Sequence, residues 1–255
     1  MLIWSRSRPA QVDLLLSSIE KYCPNLFEVN VIKKVENEYR EGYILCQYYH
    51  KEVNFVSEYN LPKQTKEILQ KYDYCCVSTD DTVLFNKFNF NIELMKNVDI
   101  FSLRMGLNNN IQNPFTGEKQ IQISKYFDEG ETICWDSRLY PLHSNPGYLF
   151  GHDCVIYSKR YLELIQDLEF KSLNQLESYL ITNSTTKINP FIRSFKHSVA
   201  VNIPCNNTSG ITQTDDSSPL LETNQQFLSG MRFNLGQLDN LKVTGCHQII
   251  DLEMS

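Results

Sequence analysis

The sequence predicts an α/β protein with a mostly parallel, Rossmann-like central sheet flanked by helices and a less regular second half. Short apolar runs alternate with amphipathic stretches through the first third of the chain, the rhythm of β-α-β units. Over 255 residues, 42% are hydrophobic and 21% charged, enough for one substantial core. No repeat or linker-like stretch divides the chain, so one domain over residues 1–255 is expected.

Leu2-Ile3-Trp4 reads as a short buried strand, followed by the polar loop Ser5-Arg6-Ser7-Arg8. Pro9 suits the first turn of a helix, where its missing N–H costs nothing. Val12, Leu15, Leu16 and Ile19 recur at helical spacing and predict a helix from Pro9 to Tyr22, ended by Pro24-Asn25. Phe27, Val29 and Val31 alternate with polar residues and predict a second strand. A helix over Glu41 to His50, a strand over Val53 to Val56 and a helix over Lys63 to Tyr72 follow. Tyr74 to Ser78 is a buried strand running into Thr79-Asp80-Asp81. Ligands of such sheets sit beyond the carboxyl ends of the strands, where Arg6, Arg8, Asp80 and Asp81 fall.

The second half reads as a strand over Asp99 to Met105 and a polar loop from Asn108 to Glu131 with a Pro114-Phe115-Thr116-Gly117 turn. A loop that long is expected to be a lid or binding loop. A strand flanked by glycines follows within Gly147 to Ser158, then helices over Tyr161 to Leu168 and Asn174 to Ile181, and a last strand over Ser198 to Ile203. Asn206 to Ser218 is expected to be mobile.

The 24 Lys and Arg against 30 Asp and Glu give a net charge of -6, a poor basis for sequence-independent nucleic-acid binding. No apolar run reaches the roughly 18 residues that span a bilayer, and no signal peptide opens the chain. The eight cysteines are scattered, several in apolar runs such as Tyr74-Cys75-Cys76-Val77, and form no CxxC pair. A reduced, cytoplasmic protein is expected rather than a secreted disulfide framework.

Several residues have chemical potential, each beside a plainer reading. Asp80 and Asp81 repel each other, and a hard divalent cation would relieve that; an ordinary acidic turn has the same composition. Arg6 and Arg8 could contact a base, ribose or diphosphate, or belong to a solvated loop. Gly147 and Gly151 could admit close backbone approach of a ligand, or mark a bulge. His152-Asp153 is an acid/base pair or a turn. Glu177 suits a helix N-terminal region as a base or as a structural residue. His247 is a metal ligand or a surface or core residue.

The order of these signals resembles that of GT-A-type glycosyltransferases, and more closely a group of bacterial and viral GT-A-like proteins. Ile3-Trp4-Ser5-Arg6-Ser7-Arg8-Pro9-Ala10-Gln11 resembles their opening, and Thr79-Asp80-Asp81 their DxD motif. Tyr140-Pro141 with Gly147 to His152 is similar to their glycine-containing segment. Leu173 to Glu177 resembles a helix carrying Leu-Glu. Val201 to Asn206 and Cys246 to Ile249 resemble their closing segments. Thr79 stands where an Asp is usual, Ser7 where related loops often have Asp, and Glu177 matches the catalytic-base motif only in part.

The resemblance implies transfer of a sugar from a nucleotide-diphospho-sugar to a hydroxyl of a glycan or other acceptor, as in surface-polysaccharide synthesis. Residues 1–105 would bind the donor and 106–255 the acceptor. Ser5, Arg6, Arg8, Asp80, Gly147 and Gly151 would bind the nucleotide-sugar. Asp81, with Asp80 and His247, would hold Mn2+ or Mg2+. Glu177 would be the general base, with Asp153 as second choice. A nucleotidyltransferase would carry a glycine-rich loop after the first strand, and Ser5 to Pro9 has no glycine. A degenerate, non-catalytic binding or scaffold module is the other alternative, which Thr79 keeps open.

Overall fold

The computed structural model describes residues 1–109, 120–203, 220–239 and 241–255. The Pro114 to Gly117 turn, Cys205 and the Asn206 to Ser218 stretch lie outside the described residues. The first half follows the expected alternation: β1 (Leu2–Arg6), α1 (Pro9–Tyr22), β2 (Asn30–Lys34), α2 (Arg40–Tyr49), β3 (Asn54–Ser57), α3 (Leu61–Leu69) and β4 (Tyr74–Thr79). Pro9 does open α1. The second strand starts later than Phe27, because its pairing with β1 begins where Leu2 faces Asn30. α3 starts earlier than Lys63, because the Asn60 side chain accepts from the Lys63 backbone N–H and caps the helix.

The second half comprises β5 (Thr82–Leu84), β6 (Ile100–Ser102), β7 (Phe127–Glu129), β8 (Thr132–Asp136), β9 (Val155–Ser158), α4 (Lys159–Ile165), α5 (Leu173–Ser184), β10 (Phe191–Phe195), β11 (Ala200–Asn202) and α6 (Leu220–Leu228). The expected loop from Asn108 to Glu131 is corrected at its end: β7 lies inside it, held as an edge strand by β8. The strands β5, β8 and β10 and the helix α6 were not anticipated. The glycine-flanked segment is strand only from Val155 onward, and Asn145–Gly147 is a single 3-10 turn.

The main sheet has the order β3-β2-β1-β4-β9-β6-β10-β8-β7. β3, β2, β1 and β4 are parallel neighbours. β9 runs antiparallel to both β4 and β6, β10 is parallel to β6, and β8 is antiparallel to both β10 and β7. Seven of the nine strands therefore point one way, with β9 and β8 reversed. A small second sheet pairs β11 with β5.

Side chains alternate across a strand, so β1 supplies both faces of the sheet. Ile3 joins Val31, Phe101 and Ile156 against Val12, Leu15, Leu16 and Ile19 of α1 and Tyr43 of α2. Leu2 and Trp4 join Ile32, Val77 and Trp135 on the other face, against Ile68 and Leu69 of α3, Tyr161 of α4 and Leu176 and Leu180 of α5. All seven described cysteines are buried free thiols. Among the described residues, no helix is long and apolar enough to cross a membrane.

A buried ionic cluster ties the end of the chain to this framework. Arg232 donates through Nε and Nη2 to the two oxygens of Asp13 at 2.9 and 2.7 Å, and its guanidinium lies over the Tyr49 ring. His50 lies between Asp13, 2.9 Å from Nε2, and Glu20, 2.8 Å from Nδ1. Backbone pairs Arg232–Ser255 and Asn234–Glu253 then fold the last residues back on this anchor. Burial alone would lower the His50 pKa, but the hydrogen bonds and charges of Asp13 and Glu20 raise it overall. A raised histidine stabilises the fold fully below about 6.5, the unfolded value. That contribution is lost as pH rises through the higher folded value. Urea unfolding midpoints measured across this range should fall as pH rises, and His50→Gln should flatten that fall; an unchanged slope would place its origin elsewhere.

Candidate active site

The site forms at the carboxyl ends of β1 and β4. The chain runs outward from β1 through β2 to β3 and then returns to the other side of β1 as β4, and such a reversal of strand order is where open α/β sheets hold their ligands. The register pairs Trp4 with Thr79, which brings Ser5 beside Asp80. The Ser5 hydroxyl donates to Asp80 Oδ2 at 2.6 Å, and the Arg6 backbone N–H lies 3.3 Å from the same oxygen. Ser7 adopts a left-handed backbone (φ 54°), uncommon for a residue with a side chain. Its N–H donates to the Lys34 carbonyl and its hydroxyl accepts from the Glu36 N–H. This turn directs Arg8 back toward β4, where Nη1 lies 3.2 Å from Asp80 Oδ1 and 3.3 Å from Asp81 Oδ2. The Tyr43 hydroxyl accepts from the Arg8 backbone N–H and bonds the Ser5 hydroxyl. Burial, opposed by Arg8 and reinforced by Asp81, raises the Asp80 pKa to about 6.

A second group of residues reaches the same place from the second half of the chain. β11 pairs with β5 immediately after Asp81, with Asn202 opposite Thr82, and Asn202 in turn bridges to His247. Thr79 Oγ1 lies 2.7 Å from Asp81 Oδ1 and 2.8 Å from Asp153 Oδ1. The Asn202 amide donates to Asp81 Oδ1 at 2.8 Å. Arg104 Nη1 lies 2.8 Å from Asp153 Oδ2 and 2.8 Å from His247 Nε2. Arg104 can only donate, so His247 Nε2 accepts, and the ring hydrogen sits on Nδ1, 3.1 Å from Asn202 Oδ1. Burial and then Arg104 push His247 down to about 4, against the pull of Asp153. Burial pushes Asp153 up, but Arg104, His247, the Thr79 hydrogen bond and His152 together outweigh it and hold the carboxyl below its ordinary value.

Gly151 has a direct structural reason here. A Cβ at that position would lie 2.9 Å from Arg104 Nη2, so glycine lets the guanidinium approach. Gly147 answers a different need: the Pro141 carbonyl oxygen fills the space its Cβ would take. Glu177 stands to one side on α5. Its Oε2 accepts from the Tyr148 hydroxyl at 3.2 Å. Its Oε1 lies 3.1 Å from His152 Nδ1, off the direction a hydrogen bond requires. His152 bonds the Tyr161 hydroxyl through Nε2 at 2.6 Å and meets the Trp4 ring edge-on. Burial and the neighbouring Glu177 raise the pKa of Tyr148.

Ser5, Arg8, Asp80, Asp81, Asp153 and His247 thus share one continuous polar network. Arg6 joins it through its backbone, while its exposed guanidinium turns to Glu36 at 3.4 Å. Thr79, Arg104 and Asn202 complete the network and were not among the residues expected. Arg104 follows the run Ile100-Phe101-Ser102-Leu103; a guanidinium at the end of a buried strand is the one local signal for it, and its partners are distant in sequence.

The expected ligands of Mn2+ or Mg2+ do not offer a divalent-ion site in this arrangement. Asp80 and Asp81 are bridged by Arg8, and Asp153 and His247 by Arg104. The Thr79 hydroxyl separates Asp81 from Asp153. Among the described residues, the group whose ligand atoms all lie within 4.8 Å of one another is Asp13, Cys46 and His50. There Arg232 and His50 already bond Asp13, and burial pushes the Cys46 thiol pKa up.

No protein-family model and no curated protein matches the chain. Among solved structures, it is similar to S. aureus TarS, at 15% identity and TM-score 0.48, over 78% of this chain and 35% of that one. TarS 1-349 in complex with UDP matches at 12% identity and TM-score 0.48, over 78% and 58%. WbbM, a bifunctional glycosyltransferase, matches at 12% identity and TM-score 0.35, over 71% and 36%. The chain therefore spans between 35% and 58% of the length of these structures.

Asn202 joins the two halves of the network by donating to Asp81 and meeting His247. Asn202→Leu removes one bond from each, and losing bonds to buried polar groups costs about 1–3 kcal/mol. Urea unfolding should show a loss of that size; a loss within error would mean that water replaces the amide.

Proposed function

We propose that the chain is a glycosyltransferase that moves a sugar from a nucleotide-diphospho-sugar to a hydroxyl of a glycan or other acceptor. One observation carries this reading: the Arg8 guanidinium meets the carboxylates of Asp80 and Asp81 at the carboxyl ends of β1 and β4, at the reversal of strand order where open α/β sheets bind ligands. The series of motifs from Ile3 to Ile249 supports it through its resemblance to GT-A-type enzymes. The two halves, 1–105 for the donor and 106–255 for the acceptor, are part of the same proposal.

In the transfer, an acceptor oxygen bonds to the anomeric carbon and gives its proton to a carboxylate. The bond from that carbon to the diphosphate oxygen breaks, and its electron pair leaves with the diphosphate. Arg6 and Arg8 suit the phosphates, because guanidinium forks match phosphate oxygens. Ser5 and Asp80 offer acceptors for ribose hydroxyls or base N–H groups, and Gly151 leaves room at the Arg104 side. Glu177 is the proposed base. Arg104 lowers the basicity of the alternative, Asp153, whereas Glu177 is oriented by the Tyr148 hydroxyl. A general base of this kind contributes about 10²–10⁴-fold. No step is assigned to Mn2+ or Mg2+, which the ligand set does not fit.

A panel of nucleotide sugars tests the reading by thermal shift. A ligand present at about a hundred times its Kd stabilises by about 2.7 kcal/mol, so one UDP- or GDP-sugar should raise the melting temperature by several degrees. Silence across the panel would reject the donor class. Glu177→Gln should preserve donor binding while turnover falls by about 10²-fold or more. Unchanged turnover in that variant would move the base to Asp153.

A further inference from the structure

We propose that Arg8 and Arg104 supply the positive charge for the leaving diphosphate, so that transfer proceeds without a divalent metal ion. The inference rests on the transferase reading and specifies how its leaving group is stabilised.

The four expected or neighbouring metal ligands fall into two pairs, each closed by a guanidinium nitrogen. Arg8 Nη1 bridges Asp80 and Asp81 at 3.2 and 3.3 Å, and Arg104 Nη1 bridges Asp153 and His247 at 2.8 Å each. Each nitrogen stands where a cation shared by its pair would stand. Thr79 takes the remaining gap, 2.7 Å from Asp81 and 2.8 Å from Asp153. The His247 lone pair that a metal would need is turned onto Arg104, because Nδ1 carries the hydrogen for Asn202. A metal would have to displace two buried guanidiniums and leave them unpaired, which is costly.

Each carboxylate of the site already faces a guanidinium as well. Asp80 and Asp81 face Arg8, Asp153 faces Arg104, and Arg6 stands at the mouth with its guanidinium half exposed beside Glu36. Each guanidinium has five N–H donors, and the Arg104 contacts above use Nη1. As the anomeric carbon–oxygen bond breaks, the electron pair passes to the terminal phosphate oxygen and guanidinium N–H groups take up the added charge. Fixed donors in a water-poor site stabilise such charge strongly.

Calorimetric titration of the wild-type chain with UDP and with GDP, in excess EDTA and in Mn2+, tests the inference. One nucleotide should bind in EDTA with an affinity within about threefold of that in Mn2+. Arg8→Met and Arg104→Met should each weaken that binding by roughly tenfold or more, the scale of one charge-assisted hydrogen bond. Circular dichroism identifies a variant that fails to fold, and the EDTA comparison on the wild type stands without the variants. Binding lost in EDTA and restored by Mn2+ would overturn the inference and leave the transferase reading standing. Binding to neither nucleotide under either condition would overturn both.

Discussion

The buried carboxylate of Asp80 is the constraint around which the rest of the site is arranged. An ionised carboxylate away from water is costly unless paired and hydrogen-bonded. The β1–β4 register supplies the Ser5 hydroxyl and the Arg6 N–H, and the left-handed turn at Ser7 supplies Arg8. Tyr43 of α2 then holds both Ser5 and the Arg8 backbone. Compensation is incomplete: burial and the neighbouring Asp81 leave the Asp80 pKa raised.

The second constraint is chain return. Nothing near Asp80 in sequence provides Asn202, Arg104 or His247. They arrive because the two short strands after Asp81 and before Ile203 pair with each other, and because the backbone N–H groups of Asn202 and Gln248 reach the carbonyls of Cys246 and Asn202. The final residues are fixed through Arg232 on Asp13 and the Arg232–Ser255 pair. The ionic cluster on α1 thereby sets the path of a segment whose earlier residue, His247, faces Asp153 across Arg104.

The first half of the fold was legible because each element carried its own local signal. Pro9 and the Val12, Leu15, Leu16, Ile19 stripe specify α1 without reference to anything else, and Tyr74 to Ser78 is an apolar run with an acidic stop. The second half lacks such autonomy. β7 is three exposed residues, Phe127 to Glu129, that become strand only because β8 lies beside them. Phe191 to Phe195 alternates no more clearly than a loop would, and its Arg193 is buried by pairing with Glu129 rather than by apolar character. In the site, Asp80, Asp81, Arg8, Asp153 and His247 could be singled out by residue type. Thr79 could be noticed only as a departure from the DxD pattern, and Asn202 and Arg104 could not be singled out that way, because the part each plays comes from long-range contacts.

Thr79 and Arg104 are best understood together. A carboxylate at position 79, in place of the hydroxyl, would face Asp81 and Asp153 within hydrogen-bonding distance and add a further negative charge to a crowded crevice. Such crowding favours a divalent cation. With a hydroxyl there, the excess charge is smaller by one, and a single guanidinium on Asp153 offsets what remains on that side. Gly151 is the steric condition for this, since any side chain would push Arg104 away. The departure from the DxD pattern, the buried arginine and the glycine are therefore three parts of one charge balance. Restoring Asp at position 79 alone would unbalance the site rather than repair it.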